Sequence, residues 1–308
     1  MPLFSVVIPV YNSEGCLKEL YKRLKESLEP ISNDFELIMI EDCGQDQSWS
    51  VIKALAKYDK RVKGFQFSRN FGQHYGITAG LDLCNGDWVV IMDGDLQDRP
   101  EEIPKLYSMA LQGYDVVLAE RSNRKDTIIK KITSLLFYKL FSILSDIKYN
   151  GNIGNFRIIS RKVVNSFRTI RERLRFFGGI IEWMGFKTVV VEVEHGARFS
   201  GNSAYNWKKR WLLAIDAIIA YSDKPLRLLI RIGFLISGFA FAYGAYIIYL
   251  ALSIGTSISG WSSLIVSVYL LGGIIIGTLG LIGVYLGNTF DEVKRRPLYI
   301  ISESTQNE

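Results

Sequence analysis

Two aspartates, Asp93 and Asp95, stand one residue apart in the run Asp93-Gly94-Asp95-Leu96-Gln97-Asp98, directly after the apolar stretch Trp88-Val89-Val90-Ile91-Met92. Carboxylates are hard oxygen donors. A pair of them at a strand end can hold a divalent cation, Mg2+ or Mn2+, whose coordination is commonly completed by substrate phosphates rather than by an all-protein cage. Gly94 between them leaves room for a ligand to approach the backbone.

Other polar residues recur at equivalent places. Tyr11-Asn12 follow the apolar run 4–10, Glu41-Asp42 close the run 35–41, Ser68-Arg69-Asn70 follow 62–67, and Glu120-Arg121 follow 115–119. These runs, together with 88–92 and 188–193, read as strands; helical patterns fall near 14–28, 48–58, 75–84 and 101–112. Asp98-Arg99-Pro100-Glu101 supplies a helix start, with a carboxylate and a proline near the first turn. Continuously apolar strands alternating with helices imply an α/β domain, a mostly parallel sheet covered on both faces. In such a sheet ligands bind beyond the carboxyl ends of the strands, which is where all five polar groups converge.

The ligand is narrowed by what is missing. No Gly-x-Gly-x-x-Gly follows the first strand and no phosphate loop ending in Gly-Lys-Ser/Thr occurs, which argues against dinucleotide oxidoreductases and P-loop enzymes. A sugar nucleotide fits a paired-carboxylate rim, because its diphosphate bridges the metal.

The rest of the chain points to a membrane. Of 308 residues 48% are hydrophobic, and residues 232–252 and 264–286 contain no charged side chain. Each run meets the length of about 20 residues needed to cross a bilayer core. Lys224, Arg227 and Arg231 precede the first and Lys294, Arg295 and Arg296 follow the second, while the connector 253–263 is uncharged. By the positive-inside rule both ends face the cytoplasm, giving a two-span protein of the inner (plasma) membrane. No signal peptide is read at the start, so the first 200 or so residues are expected to be cytosolic. The expected division is a catalytic domain over 1–200, an interfacial region over 201–230, a transmembrane hairpin over 231–288 and a cytoplasmic tail over 289–308.

The net charge of +6 gathers around 121–131, 168–175 and 208–210 and beside the spans, a distribution suited to a lipid bilayer or lipid phosphate. Zinc-finger spacing and RNA-binding aromatic signatures are absent, so nucleic acid is not an expected partner. Residues 128–147 and 207–221 read as interfacial helices, the first with a core helix as the competing reading. Gly273, Gly277, Gly280, Gly283 and Gly287 recur at spacings of three or four, a close-packing face for the other span or for a second protomer in a homo-oligomer. Cys16, Cys43 and Cys84 have no metal-like spacing and are expected as packing residues.

In the order of its motifs the chain resembles the family 2 inverting glycosyltransferases of the GT-A fold, and among them the polyprenyl-phosphate glycosyltransferases. The resemblance runs through Val7-Ile8-Pro9-Val10-Tyr11-Asn12, Ser68-Arg69-Asn70-Phe71-Gly72-Gln73-His74, Ala79-Gly80-Leu81 and the acidic motif. It continues in Gly201-Asn202-Ser203-Ala204-Tyr205, Lys224-Pro225-Leu226-Arg227, Tyr285-Leu286-Gly287 and the stretch from Asp291 to Tyr299. It implies that Pro9, Tyr11, Asp42, Arg69, Gln73 and Asp93 bind the nucleotide sugar. Asp93, Asp95 and Gln97 would hold the metal and diphosphate, and Arg121, Arg198 and Ser203 would face the acceptor phosphate. The implied reaction moves a hexose, glucose as the first expectation, from a UDP-sugar to undecaprenyl phosphate, giving a lipid-linked donor for cell-envelope glycans.

The chain departs from this pattern at Gly154-Asn155-Phe156-Arg157, where many members have Gly-Asp-Phe-Arg. Asn155, counted with Asp95 and Arg121 among the candidate catalytic residues, cannot serve as a base. A phosphate monoester acceptor is largely dianionic at neutral pH and needs none. Ala204 replaces a common lysine, and Gly44-Gln45-Asp46 replaces a more usual Gly-Ser-x-Asp. His74 is read either as a contact to diphosphate or sugar or as a structural residue, and His195 as structural. Two other functions compete: a processive polysaccharide synthase, against which stand the two spans and the absence of Gln-x-x-Arg-Trp, and a non-catalytic sugar-nucleotide binding protein, against which stands the complete acidic motif.

Overall fold

In the computed structural model the described residues are 2–121, 153–194, 196, 224–254 and 260–306. The expected helices at 128–147 and 207–221, and the residues Arg198, Ser203, Ala204 and His195, lie outside them. The chain divides into two compact units, one of residues 1–140, 147–210 and 296–308, the other of 141–146 and 211–295.

The first unit is built on strands β1 (Phe4–Val10), β2 (Phe35–Glu41), β3 (Val62–Phe67), β4 (Trp88–Ile91), β5 (Val116–Arg121), β6 (Ile153–Ser160), β7 (Thr188–Val193) and β8 (Ile301–Ser304). They form one sheet in the order β7-β5-β6-β4-β1-β2-β3-β8. β1 pairs parallel with β2 and β4, β2 with β3, and β5 with β7, whereas β6 and β8 run antiparallel to their neighbours. The sheet is therefore mostly parallel, as expected, with two reversals. Every residue of β1 and β2 is buried, the signature of strands covered on both faces.

Helices α1 (Glu14–Leu28), α2 (Ser48–Tyr58), α3 (Gln73–Leu83) and α4 (Ile103–Ala110) follow the first four strands, with a 3-10 turn at Pro100–Glu102 before α4. Helices α5 (Arg161–Thr169) and α6 (Phe177–Trp183) lie between β6 and β7. α1 buries Leu17, Leu20, Tyr21, Leu24 and Leu28, a stripe at helical spacing whose leucines are worth about 1.5–3 kcal/mol each when fully removed from water. α3 packs onto β1 through glycine: a Cβ on Gly80 would stand 2.2 Å from Val7 Cγ1. The helix expected at 101–112 is divided, because Pro104 has no N–H to continue a helix begun at Pro100.

The second unit contains α7 (Lys224–Ile254) and α8 (Trp261–Val293). Their segments Leu226–Tyr246 and Ser267–Val293 are long and apolar enough to cross a membrane, and neither is buried within the protein. Phe234, Phe239, Phe241, Tyr269 and Ile276 are each more than 70% exposed, a concentration of bare apolar surface that water does not tolerate. The glycine series of α8 is not closely packed: a Cβ added at Gly273, Gly277, Gly280, Gly283 or Gly287 would meet nothing within 4 Å. The expected tail supplies β8, so residues 296–308 belong with the sheet.

Candidate active site

Strand order places the site. After β1, β2 and β3 the chain crosses to the other side of β1 to lay down β4, so a crevice opens between the carboxyl ends of β1 and β4. Tyr11 and Asn12 stand on one wall and the acidic motif on the other. Tyr11 is 49% exposed and so is available to a ligand, while Pro9 is buried beneath α3. Asn12, Cys43 and Leu96 have φ of 49°, 53° and 62°. Left-handed backbone at non-glycine residues is uncommon, and here three such residues follow β1, β2 and β4 at the same rim. Leu96, 3% exposed, turns the chain between Asp95 and Gln97 with its side chain in the core. Cys43 is exposed and so is not the packing residue expected, unlike buried Cys16 and Cys84.

Within the acidic motif the side chains alternate. Asp93, Asp95 and Gln97 are partly exposed, and Asp98 is buried at 3%. Asp98 does not cap the following helix, as the sequence suggested; its Oδ2 accepts the Asp93 backbone N–H at 3.2 Å and its Oδ1 lies 3.8 Å from Arg121. Burial and the neighbouring Asp93 push its carboxyl up to about 7. Burial first, then the charge of Asp95, also holds Asp93 above the usual carboxylate range. Gln97 N–H donates to Asp95 Oδ1 at 3.2 Å. Among the described residues no group of three or more histidine, cysteine, aspartate or glutamate side chains is placed to hold a metal. The two-carboxylate set therefore fits a cation that takes further oxygens from a substrate.

Asp93 Oδ1 accepts two amides, Gln73 Nε2 at 2.6 Å and Asn155 Nδ2 at 3.3 Å. Gln73 reaches it from the first turn of α3, which starts two residues earlier than expected. Asn155 reaches it because β6 is antiparallel: its opening residues lie at the edge where β4 and β5 end, with Ile91 opposite Arg157 and Glu120 opposite Ile153. Arg157, 3% exposed, fixes this segment by donating to the carbonyls of Asn155 at 3.1 Å and Gly154 at 2.7 Å. The sequence assigned Arg157 no role. Gly154 leaves space for Arg121, since a Cβ there would lie 2.9 Å from its guanidinium.

Asp42, expected at the nucleotide sugar, follows β2 beside the loop 68–72. It is 3% exposed, and its two carboxylate oxygens accept the N–H groups of Phe71 at 2.6 Å and Gly72 at 2.8 Å. Burial raises its carboxyl and these two bonds lower it, with a net upward displacement. It thus shapes the loop 68–72, where Gly72 adopts φ 104° and Arg69 lies exposed with its guanidinium over the Phe71 ring at 4.2 Å. Glu41, read from sequence as part of the strand-end rim, is 1% exposed and holds the opposing turn through Gly44 N–H at 2.5 Å and Cys43 N–H at 3.1 Å.

His74 sits at the start of α3 with its Nδ1 buried and, among the described residues, without a hydrogen-bond partner. Burial, then the charges of Arg157 and Arg175, lowers its pKa to about 4, so it is neutral at pH 7. Beyond β7, Gly196 N–H donates to Gln97 O at 2.9 Å, tying this residue to the acidic motif.

The sequence profile described as "Glycosyl transferase family 2" matches residues 5–168. An uncharacterised glycosyltransferase of Bacillus subtilis, YkcC, is 41% identical over 98% of this chain and 94% of its own length. A prophage bactoprenol glucosyl transferase homolog of Escherichia coli is 40% identical over 96% of this chain and 97% of its own. The bactoprenol glucosyl transferase of Shigella phage SfV is also 40% identical, over 98% and 99%. Among solved structures, glucosyl-3-phosphoglycerate synthase of Mycobacterium tuberculosis, in complex with Mn2+, UDP-glucose and phosphoglyceric acid, is similar over 71% of this chain and 78% of its own with a TM-score of 0.52. At 18% identity that likeness shows the fold. The chain therefore belongs to glycosyl transferase family 2, and it is a glycosyltransferase of the GT-A fold that carries two C-terminal helices long and apolar enough to cross a membrane.

Proposed function

We propose that this enzyme transfers a hexose, glucose first among the candidates, from a UDP-sugar to undecaprenyl phosphate at the cytoplasmic face of the membrane, with inversion at the anomeric carbon. The observation that carries this reading is one rim that holds both a carboxylate pair, Asp93 and Asp95, and a cation, Arg121, with Asp98 between them. The first suits a donor diphosphate and the second an acceptor phosphate. Relatives matched over nearly their full length are named bactoprenol glucosyl transferases, which supports a polyprenyl phosphate as acceptor.

Asp93, Asp95 and Gln97 would hold Mg2+ or Mn2+ against the donor diphosphate. Bound there, the ion neutralises charge on the departing nucleoside diphosphate. Tyr11 and Arg69 are exposed at the rim to receive the nucleotide, and Asp42 supports Arg69 through its loop. Arg121 aligns the acceptor phosphate for attack opposite the leaving group. Asn155 is engaged with Asp93, and the dianionic acceptor supplies its own nucleophile.

Connectivity supports a two-span topology. β8 is hydrogen-bonded into the same sheet as β1–β7, so a chain that leaves for α7 and returns after α8 makes an even number of crossings. Lys224, Arg227, Arg231 and Lys294, Arg295, Arg296 then flank the cytoplasmic ends.

The test is to incubate the purified protein with Mn2+ or Mg2+, undecaprenyl phosphate and a panel of labelled UDP-sugars, and to examine the lipid fraction. One sugar per lipid is expected. A long polymer, or donor binding with no turnover for any sugar, would sink the proposal.

A further inference from the structure

The last described residues, 296–306, follow the long helices yet fold onto the sheet. β8 is tied along its length: Thr305 N–H donates to Gly64 O at 3.0 Å, Gly64 N–H to Thr305 Oγ1 at 2.9 Å, and Trp49 Nε1 to Glu303 Oε2 at 2.7 Å. Its pairing with β3 shifts register between Gln66 and Phe67, and just beyond the shift Ser68 N–H donates to Ile300 O at 3.0 Å. That bond falls at the first residue of the loop carrying Arg69.

A second connection runs through side chains. Tyr299 donates its hydroxyl hydrogen to Asp82 Oδ2 at 2.8 Å, and Arg171 clasps both oxygens of Asp82 at 2.8 and 2.9 Å. The Tyr299 ring stacks on Phe67 with centroids 5.4 Å apart and an interplanar angle of 24°. Phe67 meets Phe71 edge to face, also at 5.4 Å. Phe71 carries one of the two amides that bind the Asp42 carboxylate, and its ring lies under Arg69.

We propose that Tyr299 is a positioning residue for the donor nucleotide: the C-terminal strand holds residues 68–72 in the conformation that presents Arg69, making the segment after the membrane helices a working part of the donor site. The inference rests on reading that rim as a sugar-nucleotide site. Tyr299 touches none of the reacting groups, so its loss weakens donor binding and leaves the chemical step alone. Preorganisation of a loop acts on affinity in this way, because an unfixed loop must be ordered each time ligand binds.

The experiment uses the full chain in detergent micelles. UDP affinity is measured with Mn2+ present, donor KM and kcat are measured in turnover, and hydrogen exchange is followed in peptides covering Phe71 and Gly72. Tyr299→Ala is expected to weaken UDP binding and raise donor KM about tenfold, with faster exchange in those peptides and kcat within about twofold of wild type. Tyr299→Phe keeps the ring stack and is expected to weaken binding about twofold to threefold. Wild-type UDP affinity and wild-type exchange in both variants would overturn the proposal. If Tyr299→Ala does not fold, Tyr299→Phe decides alone, by whether exchange at 71 and 72 exceeds that of wild type. A wild-type protein that fails to bind UDP refutes the donor-site reading, while the exchange comparison still decides whether the strand holds the loop.

Discussion

Asn155 donates its side-chain amide to Asp93 Oδ1 across 3.3 Å, joining the opening of an antiparallel strand to the acidic motif. An aspartate at this place would set a third carboxylate beside a carboxyl already raised by burial and by Asp95. In a metal-free site that arrangement is repulsive, at about 1.4 kcal/mol for each pK unit of mutual displacement. Asn155→Asp should therefore lower the thermal midpoint of the metal-free protein at pH 7.5 and enlarge the stabilisation given by Mn2+. Scanning calorimetry with and without the ion checks this, and an unchanged metal-free midpoint would show that Asn155 does not relieve charge at Asp93.

Gly154 and Arg121 form a second pair with a separable outcome. The clash a Cβ would make at 2.9 Å is with the far end of a flexible side chain, so Gly154→Ala should leave stability within about 1 kcal/mol of wild type. It should nevertheless move the guanidinium away from Asp98 and lower kcat/KM for the lipid acceptor about 10-fold to 100-fold, with donor affinity unaltered. Steady-state kinetics with each substrate varied in turn distinguishes this from a general loss of fold. A fall in donor affinity alone would contradict the placement of Arg121 at the acceptor.

Two helix-side and loop-side glycines make opposite predictions. A Cβ at Gly80 would press to 2.2 Å from Val7, so Gly80→Ala should destabilise the catalytic unit by about 1–3 kcal/mol through overpacking. At Gly94 the same atom finds only ordinary contacts of 3.5 Å, to Ile8 and to the Pro9 carbonyl, so Gly94→Ala should fold normally. Its cost should appear as weaker UDP-sugar binding, measured by titration calorimetry, because the space it fills is the one proposed for the donor.

The pH dependence of the metal-free protein has a defined sign. An unfolded aspartate titrates near about 4, and folded Asp98 near about 7. Between those values the folded state binds the extra proton, so this group's contribution to stability is present below pH 4 and declines as pH rises to 7. Carboxylates displaced the other way, such as Asp59 at about 2, act oppositely and mask it. The difference in thermal midpoint between wild type and Asp98→Asn isolates it: the variant should gain on wild type by several degrees between pH 5 and 7.5. A difference independent of pH would remove Asp98 as the group responsible.

Local pattern by itself determined most elements of this protein. Strands 4–10, 35–41, 62–67 and 188–193 and helices 14–28 and 48–58 fall where apolar runs and helical spacing place them, because those signals depend on neighbours in sequence. The acidic motif, the rim residues and the two long apolar helices were legible for the same reason. β6 was not, since its half-polar opening Ile153-Gly154-Asn155 carries no strand signature, and β8 is four residues of mostly polar chain; both are strands only because a distant neighbour supplies their hydrogen bonds. Tertiary structure alone decided that Asp42 spends its carboxylate on the amides of Phe71 and Gly72, that Asp98 turns inward to Arg121, and that Asn155 reaches Asp93. Each depends on strand order and direction, which set residues dozens of positions apart side by side at one sheet edge, a relation that no spacing along the chain encodes.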